Sequence, residues 1–262
     1  MPGNEKEIAK YLVANKGKVS LRHLGVVASV GAPNLSIVGC KEISNVKDVD
    51  VCLASEDSRK KADVYINGHG VSIKQSGPSE LFNRLQRDNI LNVFTQLNIK
   101  NPAHILQLLD REVLNFHNGN LETRNRPWED FFSEQDFKAL LCFLLTIGSP
   151  NVGVSMHPVE FILEAPQKNI SEGNIDVFTF EEYFEKYKSD LKIAIRRVWY
   201  GQASNSEHGR AKSLMNKEGN VPWVINGVSG MPKIHRSGQR WRKDIPTGER
   251  KTIYFLMIEK ES

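Results

Sequence analysis

The sequence predicts an α/β fold in which a mixed β-sheet is flanked by helices. Amphipathic segments with helix caps alternate with shorter runs that show the period-2 pattern of half-buried strands. The hairpin pattern is clearest in residues 63–74, and Thr252–Ile258 is continuously apolar, as expected of a buried strand. With 262 residues, 40% of them hydrophobic and 25% charged, the chain can bury a sizeable core in one large domain or two.

Helices and the hairpin are expected in the first part of the chain. The expected elements are a helix over 4–16, a short strand over Val49–Leu53, hairpin strands over 62–67 and 70–75, a helix from Ser79 to about 98, and a helix from Pro102 to about 116. Asn4 is a suitable N-cap for the first helix, and Gly17 follows it as a stop signal. Pro102 occupies the first helical turn, where proline is tolerated.

The second part of the chain is expected to be richer in strands. The expected elements are a helix over Glu134–Ile147 between Ser133 and Gly148, strands over Val152–Leu163 and Ile175–Phe178, a helix over Phe180–Lys188 capped by Thr179, and strands over Leu191–Trp199, 221–228, 232–236 and 250–259. We expect a soft boundary near residue 150, with parts 1–150 and 151–262 that can share one sheet.

The hairpin places polar side chains on a single face. Asn67-Gly68 between two alternating runs is a strong turn signal. A four-residue loop would pair Asp63 with Lys74, whereas a two-residue turn would pair Asp63 with Ser72. Both registers put Asp63, Ser72 and Lys74 on one face, because directly opposed residues share a face. A carboxylate and an ammonium held together can bind a divalent cation and orient a water, which favours metal-dependent phosphodiester hydrolysis.

This segment resembles the active-site hairpin of the PD-(D/E)XK nuclease superfamily, in particular its type II restriction endonucleases. In that family an Asp opens the second core strand and a (D/E)-X-K tripeptide lies on the next strand. Ala62-Asp63 and Ser72-Ile73-Lys74 stand at these places, and residues 75–84 resemble the continuation into a helix beside the DNA. Ser72 departs from the pattern, since an acid is usual there, and this removes one charged metal ligand.

The resemblance implies a restriction-endonuclease-like core and a role for each site residue. Asp63 and the main-chain carbonyl of Ile73 would ligate Mg²⁺, and Lys74 would position the attacking water and stabilise charge on the scissile phosphate. Ser72 would hydrogen-bond a metal-bound water or the phosphate. Glu5 or Glu7 of the first helix would complete the metal site, with Glu5 slightly favoured. The residues that would touch DNA near the cut are Gln75, Ser76 and Asn83.

Positive charge is concentrated at the C-terminal end of the chain. Residues 191–262 hold 14 Lys and Arg against 6 Asp and Glu, whereas residues 1–190 hold 21 against 25. Such a basic segment is typical of a nucleic-acid-binding surface, and Arg, Gln and Asn side chains can pair with base edges in the major groove. The candidate DNA-binding residues are Arg196, Arg197, Gln202, Asn205, Arg210, Lys212, Arg236, Gln239, Arg240, Arg242 and Lys243.

These expectations describe a type II restriction endonuclease, with a catalytic core over 1–150 and a β-rich DNA-recognition part over 151–262. It would cut double-stranded DNA with Mg²⁺, as a monomer or homodimer, in a bacterial or archaeal cytoplasm, with a DNA methyltransferase gene as neighbour. The alternatives are a repair or junction nuclease of the same superfamily and a non-catalytic DNA-binding protein. Three cysteines without metal-ligand spacing and the lack of an apolar run of 18 residues agree with a cytoplasmic protein without membrane spans.

Overall fold

The computed structural model describes residues 5–34, 36, 39–54, 60–76, 80–81, 85–117, 120–121, 125–149, 153–199, 205–218, 225–226, 246 and 251–261. Their helices are α1 (Glu5–Ala14), α2 (Val49–Cys52), α3 (Arg87–Gln96), α4 (Pro102–His117), α5 (Glu134–Cys142), α6 (Phe180–Tyr187) and α7 (Asn205–Met215). A π-helical turn spans Phe143–Ile147, and 3-10 turns span Val46–Asp48, Trp128–Asp130 and Glu172–Asn174.

The strands of the described residues are mostly short. They are β1 (Ser20–Leu21), β2 (Gly25–Val26), β3 (Val30–Pro33), β4 (Cys40–Glu42), β5 (Val64–Ile66), β6 (His69–Gln75), β7 (Glu80–Leu81), β8 (Leu85–Gln86), β9 (Asn125–Pro127), β10 (Gly148–Ser149), β11 (Gly153–Val154), β12 (Phe161–Ala165), β13 (Asp176–Phe178), β14 (Leu191–Trp199), β15 (Ile225–Asn226) and β16 (Lys251–Lys260).

The chain forms two compact units, and each is assembled from separate stretches. Unit 1 comprises Met1–Phe82, Leu140–Leu191 and Lys260–Ser262, and unit 2 comprises Asn83–Ala139 and Lys192–Glu259. The boundary expected near residue 150 therefore coincides with no limit of either unit. The assignment of catalysis to one part and DNA recognition to the other stays a prediction.

Unit 1 contains a six-stranded mixed sheet in the order β13-β12-β6-β5-β3-β4. β3, β5 and β6 pair antiparallel with one another in chain order, and β12 pairs parallel with β6 on its other side. A parallel neighbour requires a long crossover connection, and here residues 76–160 supply it. The sequence-based expectation of an α/β fold with a mixed sheet flanked by helices is confirmed.

The turn of the β5–β6 hairpin is fixed by its own residues. Asn67 has φ of 52° and Gly68 has φ of 85°, the left-handed backbone that a two-residue hairpin turn of type I′ requires. The Asn67 side chain also accepts hydrogen bonds from the main-chain N–H groups of Ala28 and Ser29 at 2.8 and 3.1 Å. The turn is therefore held against the segment that precedes β3.

One face of this sheet is covered by α1. Ile8, Ala9, Leu12 and Val13 of α1 are buried in a cluster with residues of β3, β5, β6, β12 and β13. The strand residues of this cluster include Val64, Ile66, Val71 and Ile73. Because side chains alternate along a strand, the residues between them on β5 and β6 face away from α1.

Unit 2 contains a second sheet in which β15, β16, β14 and β9 are successive neighbours. Helix α7 packs against it through Ala211, Leu214 and Met215, which form a buried cluster with Ala194 and Met257. The expected strand over Leu191–Trp199 and the expected helix from Pro102 are confirmed.

Three expected elements were wrong in type or extent. The first is the strand over Val49–Leu53, which is helical, because Val49, Cys52 and Leu53 follow the spacing of a helix face that packs on the core. The second is the helix expected from Ser79. It begins only at Arg87, since Leu85 pairs with Leu256 in β8 and β16.

The third is the continuous strand over Val152–Leu163, which is divided into β11 and β12. The intervening residues make contacts of their own: His157 accepts main-chain hydrogen bonds from Lys61 and Ala62. The helix over Glu134–Ile147 has the expected extent, but its last turn is π-helical. The strand expected over 232–236 lies outside the described residues.

Cys40, Cys52 and Cys142 are half-buried, and none of them forms a disulfide. No described helix combines the length and apolar character needed to cross a membrane.

Candidate active site

The hairpin register brings Asp63 and Ser72 together. Val64 pairs with Val71, which is the register of a two-residue turn, one of the two alternatives expected from the sequence. Asp63 Oδ2 accepts hydrogen bonds from Ile73 N at 2.7 Å and from Ser72 Oγ at 3.2 Å. The Asp63 carboxylate thus replaces a main-chain acceptor directly before the first residue of β5. These two hydrogen bonds fix the position of the carboxylate.

The Asp63 carboxylate keeps one oxygen available. Within the described part of the chain, Oδ1 accepts no hydrogen bond. The N–H of Ile73 points to Asp63, and the carbonyl of a strand residue points to the same side as its N–H. The two predicted oxygen ligands, Asp63 and the Ile73 carbonyl, therefore lie on the same side of β6. Ser72 is 3% exposed and its hydroxyl donates to Asp63, so the hydroxyl can hydrogen-bond a water only as an acceptor.

Lys74 lies on the same face of β6 as Ser72, two residues further along the strand. It is half-buried, and no other group among the described residues forms a hydrogen bond or an ion pair with its ammonium. An ordinary cross-strand ion pair with Asp63 is thus not formed. A fixed carboxylate on the same face as an ammonium that has no partner within the described ranges is the arrangement that the nuclease hypothesis requires.

Lys61 is a charged residue of this site that sequence reasoning missed. Its side chain is buried, and Nζ donates to the main-chain oxygen of Leu144 at 2.7 Å. Burial, which has the largest effect, and the Lys74 ammonium lower the pKa of Lys61, the Asp63 carboxylate opposes both, and the resulting pKa is about 8. The sequence signal was a lysine two residues before the acid, but its partner is more than 80 residues away in the chain.

Glu164 is a second charged residue that the sequence analysis did not single out. It lies beside Lys74 in the parallel register of β6 and β12 and is 3% exposed. Its carboxylate accepts from Lys260 Nζ at 2.8 Å and from the Tyr187 hydroxyl. An acid within the apolar run of β12 was the available signal. Because Glu164 is already paired, we assign it to the support of the sheet and not to metal binding.

The N-terminal acids lie on a helix that packs against the other face of the sheet. Glu5 begins α1, and α1 covers the face opposite to Asp63 and Lys74. Glu7 is exposed and forms an ion pair with Lys10 at 3.0 Å. Among the described residues, no three His, Cys, Asp or Glu side chains are grouped closely enough to hold a metal ion. The metal-binding roles of Glu5 and Asp63 stay predictions.

The donor set at the hairpin nevertheless fits Mg²⁺. Mg²⁺ prefers oxygen ligands, keeps several waters, and is usually held by one or two carboxylates together with substrate phosphates. Asp63 Oδ1 and the Ile73 carbonyl supply two such oxygens, and a phosphodiester would supply a third. A site with a single carboxylate next to two ammonium groups is expected to be weak until that phosphate is present.

The candidate DNA-binding residues are described only in part. Gln75 and Ser76 are exposed at the end of β6, directly after Lys74. Arg210 and Lys212 are exposed on α7, whose apolar residues are buried. The predicted DNA-binding residues that lie outside the described residues are Asn83, Gln202, Arg236, Gln239, Arg240, Arg242 and Lys243. The side chains of Arg196, Arg197 and Asn205 lie outside them as well.

No protein-family model, curated protein or solved structure matches this chain significantly.

Proposed function

We propose that the protein is a type II restriction endonuclease, which uses Mg²⁺ to hydrolyse phosphodiester bonds in double-stranded DNA at a short specific sequence. The observation that carries the proposal is the hairpin face that holds the fixed Asp63 carboxylate, Ser72 and the Lys74 ammonium, which has no hydrogen-bond or ion-pair partner in the described part of the chain. Asp63 and Lys74 are the residue types that the resemblance to the nuclease superfamily requires, Ser72 stands where an acid is usual, and the hairpin has one of the two registers expected from the sequence.

The order of elements in unit 1 also supports the proposal. Helix α1 precedes the antiparallel strands β3, β5 and β6, and the crossover then leads to the parallel strand β12. If β3 is the first core strand, Asp63 stands at the start of the second, and Ser72-Ile73-Lys74 lies on the third. This is the placement that the superfamily pattern calls for.

Each residue of the hairpin has a separate task in the proposed reaction. When bound, Mg²⁺ would polarise the phosphate and acidify a water molecule. Asp63 Oδ1 and the Ile73 carbonyl would hold the ion, whereas Glu5 begins α1, which covers the opposite face of the sheet. Lys74, which has no competing partner among the described residues, would orient the attacking water and stabilise charge on the phosphate oxygens. Hydrolysis by in-line attack would leave a 5′-phosphate and a 3′-hydroxyl.

DNA contacts are proposed at two places. Gln75 and Ser76 are exposed next to Lys74 and would touch the backbone near the cut. Helix α7 exposes Arg210 and Lys212 on the side away from its buried residues, which suits the binding of phosphates. The sequence-specific contacts are assigned to the remaining basic residues of the C-terminal segment. A methyltransferase gene beside this one is the expected genetic partner.

The test is a cleavage assay on unmethylated phage DNA over a series of Mg²⁺ concentrations, with EDTA as the control. Discrete fragments with defined ends are expected. Asp63→Asn keeps an acceptor for Ile73 N but removes the charge, and it should lower the cleavage rate roughly 10²–10³-fold, as should Lys74→Ala. Lys168→Ala, which removes an exposed lysine of unit 1, is the matched control. If Asp63→Asn or Lys74→Ala cuts at the wild-type rate, the site is misassigned, whereas a smear from the wild type points to the repair or junction nuclease.

A second candidate function is DNA binding without catalysis. Ser72 stands where an acid is usual, and the described residues contain no group of three metal-ligating side chains. On this alternative the protein binds DNA equally well in Mg²⁺ and in EDTA, and it cuts no unmethylated DNA with either Mg²⁺ or Mn²⁺. Fluorescence anisotropy with a labelled duplex, run beside the cleavage assay, separates the two candidates.

A further inference from the structure

The side chain of Glu164 lies on the same face of the sheet as Lys74. Leu163 and Ala165, its neighbours along β12, are buried in the cluster that contains α1, so Glu164 points to the opposite face. In the parallel register of β12 and β6, Glu164 is the direct partner of Lys74. Adjacent strands are about 4.8 Å apart, and lysine and glutamate side chains are both long enough to bridge that spacing. An ion pair between Lys74 and Glu164 is therefore sterically possible.

The Glu164 carboxylate has other partners in the structure. Lys260 Nζ donates to Oε1 at 2.8 Å, and the side chains of this pair are almost completely buried. The Tyr187 hydroxyl donates to the other oxygen, Oε2, and Lys186 Nζ lies 3.7 Å from the same atom. In the described part of the chain, Lys260 is thus the one donor to Oε1, and no ion pair between Glu164 and Lys74 is formed.

Contacts of its own hold Lys260 in this position. Its Nζ lies 4.1 Å from the centre of the Tyr187 ring, which is a favourable cation–π distance. The main-chain N–H of Glu261 donates to Asp190 O, and the N–H of Asp190 donates to Tyr187 O, both at 2.8 Å. All of these residues belong to unit 1. The last residue of β16 and the last residue of α6 are therefore held together, and the Lys260 ammonium is kept on the Glu164 carboxylate.

We propose that Lys260 is a positioning residue for Lys74: it occupies the Glu164 carboxylate and thereby keeps the Lys74 ammonium available for the scissile phosphate. This inference rests on the proposed nuclease function. Without Lys260, Oε1 of Glu164 would be a buried charged acceptor that lacks a donor, which is costly. Lys186 already lies at Oε2, so Lys74 is the ammonium that the strand register brings to Oε1. A Lys74 side chain that binds Glu164 is lost to the reaction.

The first test compares the cleavage rates of Lys260→Met, Glu164→Leu and the double variant at saturating DNA, at a temperature where circular dichroism shows all three folded. Each single variant breaks the same ion pair and leaves one buried charge unpaired, so similar losses of stability are expected. Only Lys260→Met leaves a carboxylate that can bind Lys74. Its rate should fall roughly tenfold, the size expected for a hydrogen bond between charged groups. The double variant lacks that carboxylate and should cut faster than Lys260→Met.

The second test measures the availability of the Lys74 ammonium without any cleavage. Formaldehyde and a borane reductant methylate lysines through the uncharged amine, and mass spectrometry of peptides gives the rate for each lysine. Methylation of Lys74 should be roughly tenfold slower in Lys260→Met than in the wild type, and faster again in the double variant with Glu164→Leu. Lys168 is exposed and serves as the internal control with an unchanged rate. If Lys260→Met fails to fold, Lys260→Gln, which also removes the charge, carries both tests.

The outcomes distinguish this inference from the proposed function. Equal methylation rates of Lys74 in the wild type and in Lys260→Met, or Lys260→Gln in its place, overturn the role of Lys260 even if the protein cuts DNA. Equal losses of cleavage rate in both single variants and the double variant also overturn it, because they indicate a purely structural role of the ion pair. A wild type that cuts no DNA overturns the proposed function itself, whatever the methylation rates are.

Discussion

The buried ammonium of Lys61 predicts a specific dependence of stability on pH. Its pKa falls from 10.5 to about 8 in the folded protein, first because of burial and then because of Lys74. Each pKa unit corresponds to about 1.36 kcal/mol, so the charged form costs the folded state about 3 kcal/mol. Below pH 8 the lysine is charged in both states and the cost is complete. Between pH 8 and 10.5 the unfolded chain binds more protons than the folded one, so the free energy of unfolding rises with pH.

The substitution Lys61→Met removes this proton linkage. We expect the free energy of unfolding of the wild type, relative to Lys61→Met, to be constant from pH 6 to 7.5 and to rise by about 3 kcal/mol toward pH 10.5. Urea unfolding followed by circular dichroism at half-unit pH steps measures the difference. Lys168→Met, which removes an exposed ammonium, should show a constant difference from the wild type. A difference for Lys61→Met that stays flat to within about 0.5 kcal/mol would refute the reasoning.

Other predictions concern the fold around the hairpin. A Cβ at Gly70 would lie 2.2 Å from a main-chain carbonyl oxygen, so Gly70→Ala should destabilise the protein by about 1–3 kcal/mol in urea unfolding, whereas Gly173→Ala, which meets open space, should change stability little. Loss of the Asn67 side chain removes four hydrogen bonds to the segment before β3, and Asn67→Ala should cost about 1–3 kcal/mol in the same assay. Glu164 and Lys260 form a buried pair, so Glu164→Leu or Lys260→Met alone should cost about 3–5 kcal/mol, and the double variant should cost less than the sum. Purely additive costs in that double-mutant cycle would show that the two groups do not interact.

The parts of the fold that were predicted correctly are encoded by neighbouring residues. The hairpin and the shared face of Asp63 and Ser72 follow from twelve consecutive residues, and of the two registers that the sequence left open the structure has that of the two-residue turn. The helix Phe180–Tyr187 was likewise readable, because Thr179 accepts from Glu182 N and caps it. Local chemistry decides these elements, so the sequence alone was sufficient.

The errors and omissions arise where distant residues decide the outcome. Leu85 fits the apolar spacing of the helix predicted from Ser79, but it pairs with Leu256 in a strand. No pattern in the neighbouring residues predicts that strand. Lys61 resembles a surface lysine until its contact with Leu144 O is known. The period-2 pattern of Val49 and Val51 suggested a strand, but Val51 is exposed and the helix packs through other positions. Tertiary contacts of this kind override local preference.

The parallel pairing of β6 with β12 has a consequence for how the chain acquires its structure. The hairpin β5–β6 can close in about 1–10 μs, whereas β12 must find β6 across residues 76–160, which imposes a far larger loop-closure entropy. Until then, one edge of β6 presents unpaired N–H and C=O groups between apolar side chains. During synthesis this edge of β6 stays unpaired until the residues of β12, which ends at Ala165, have been translated. A chain that ends before residue 160 would contain the whole hairpin and yet be prone to aggregate through that open edge.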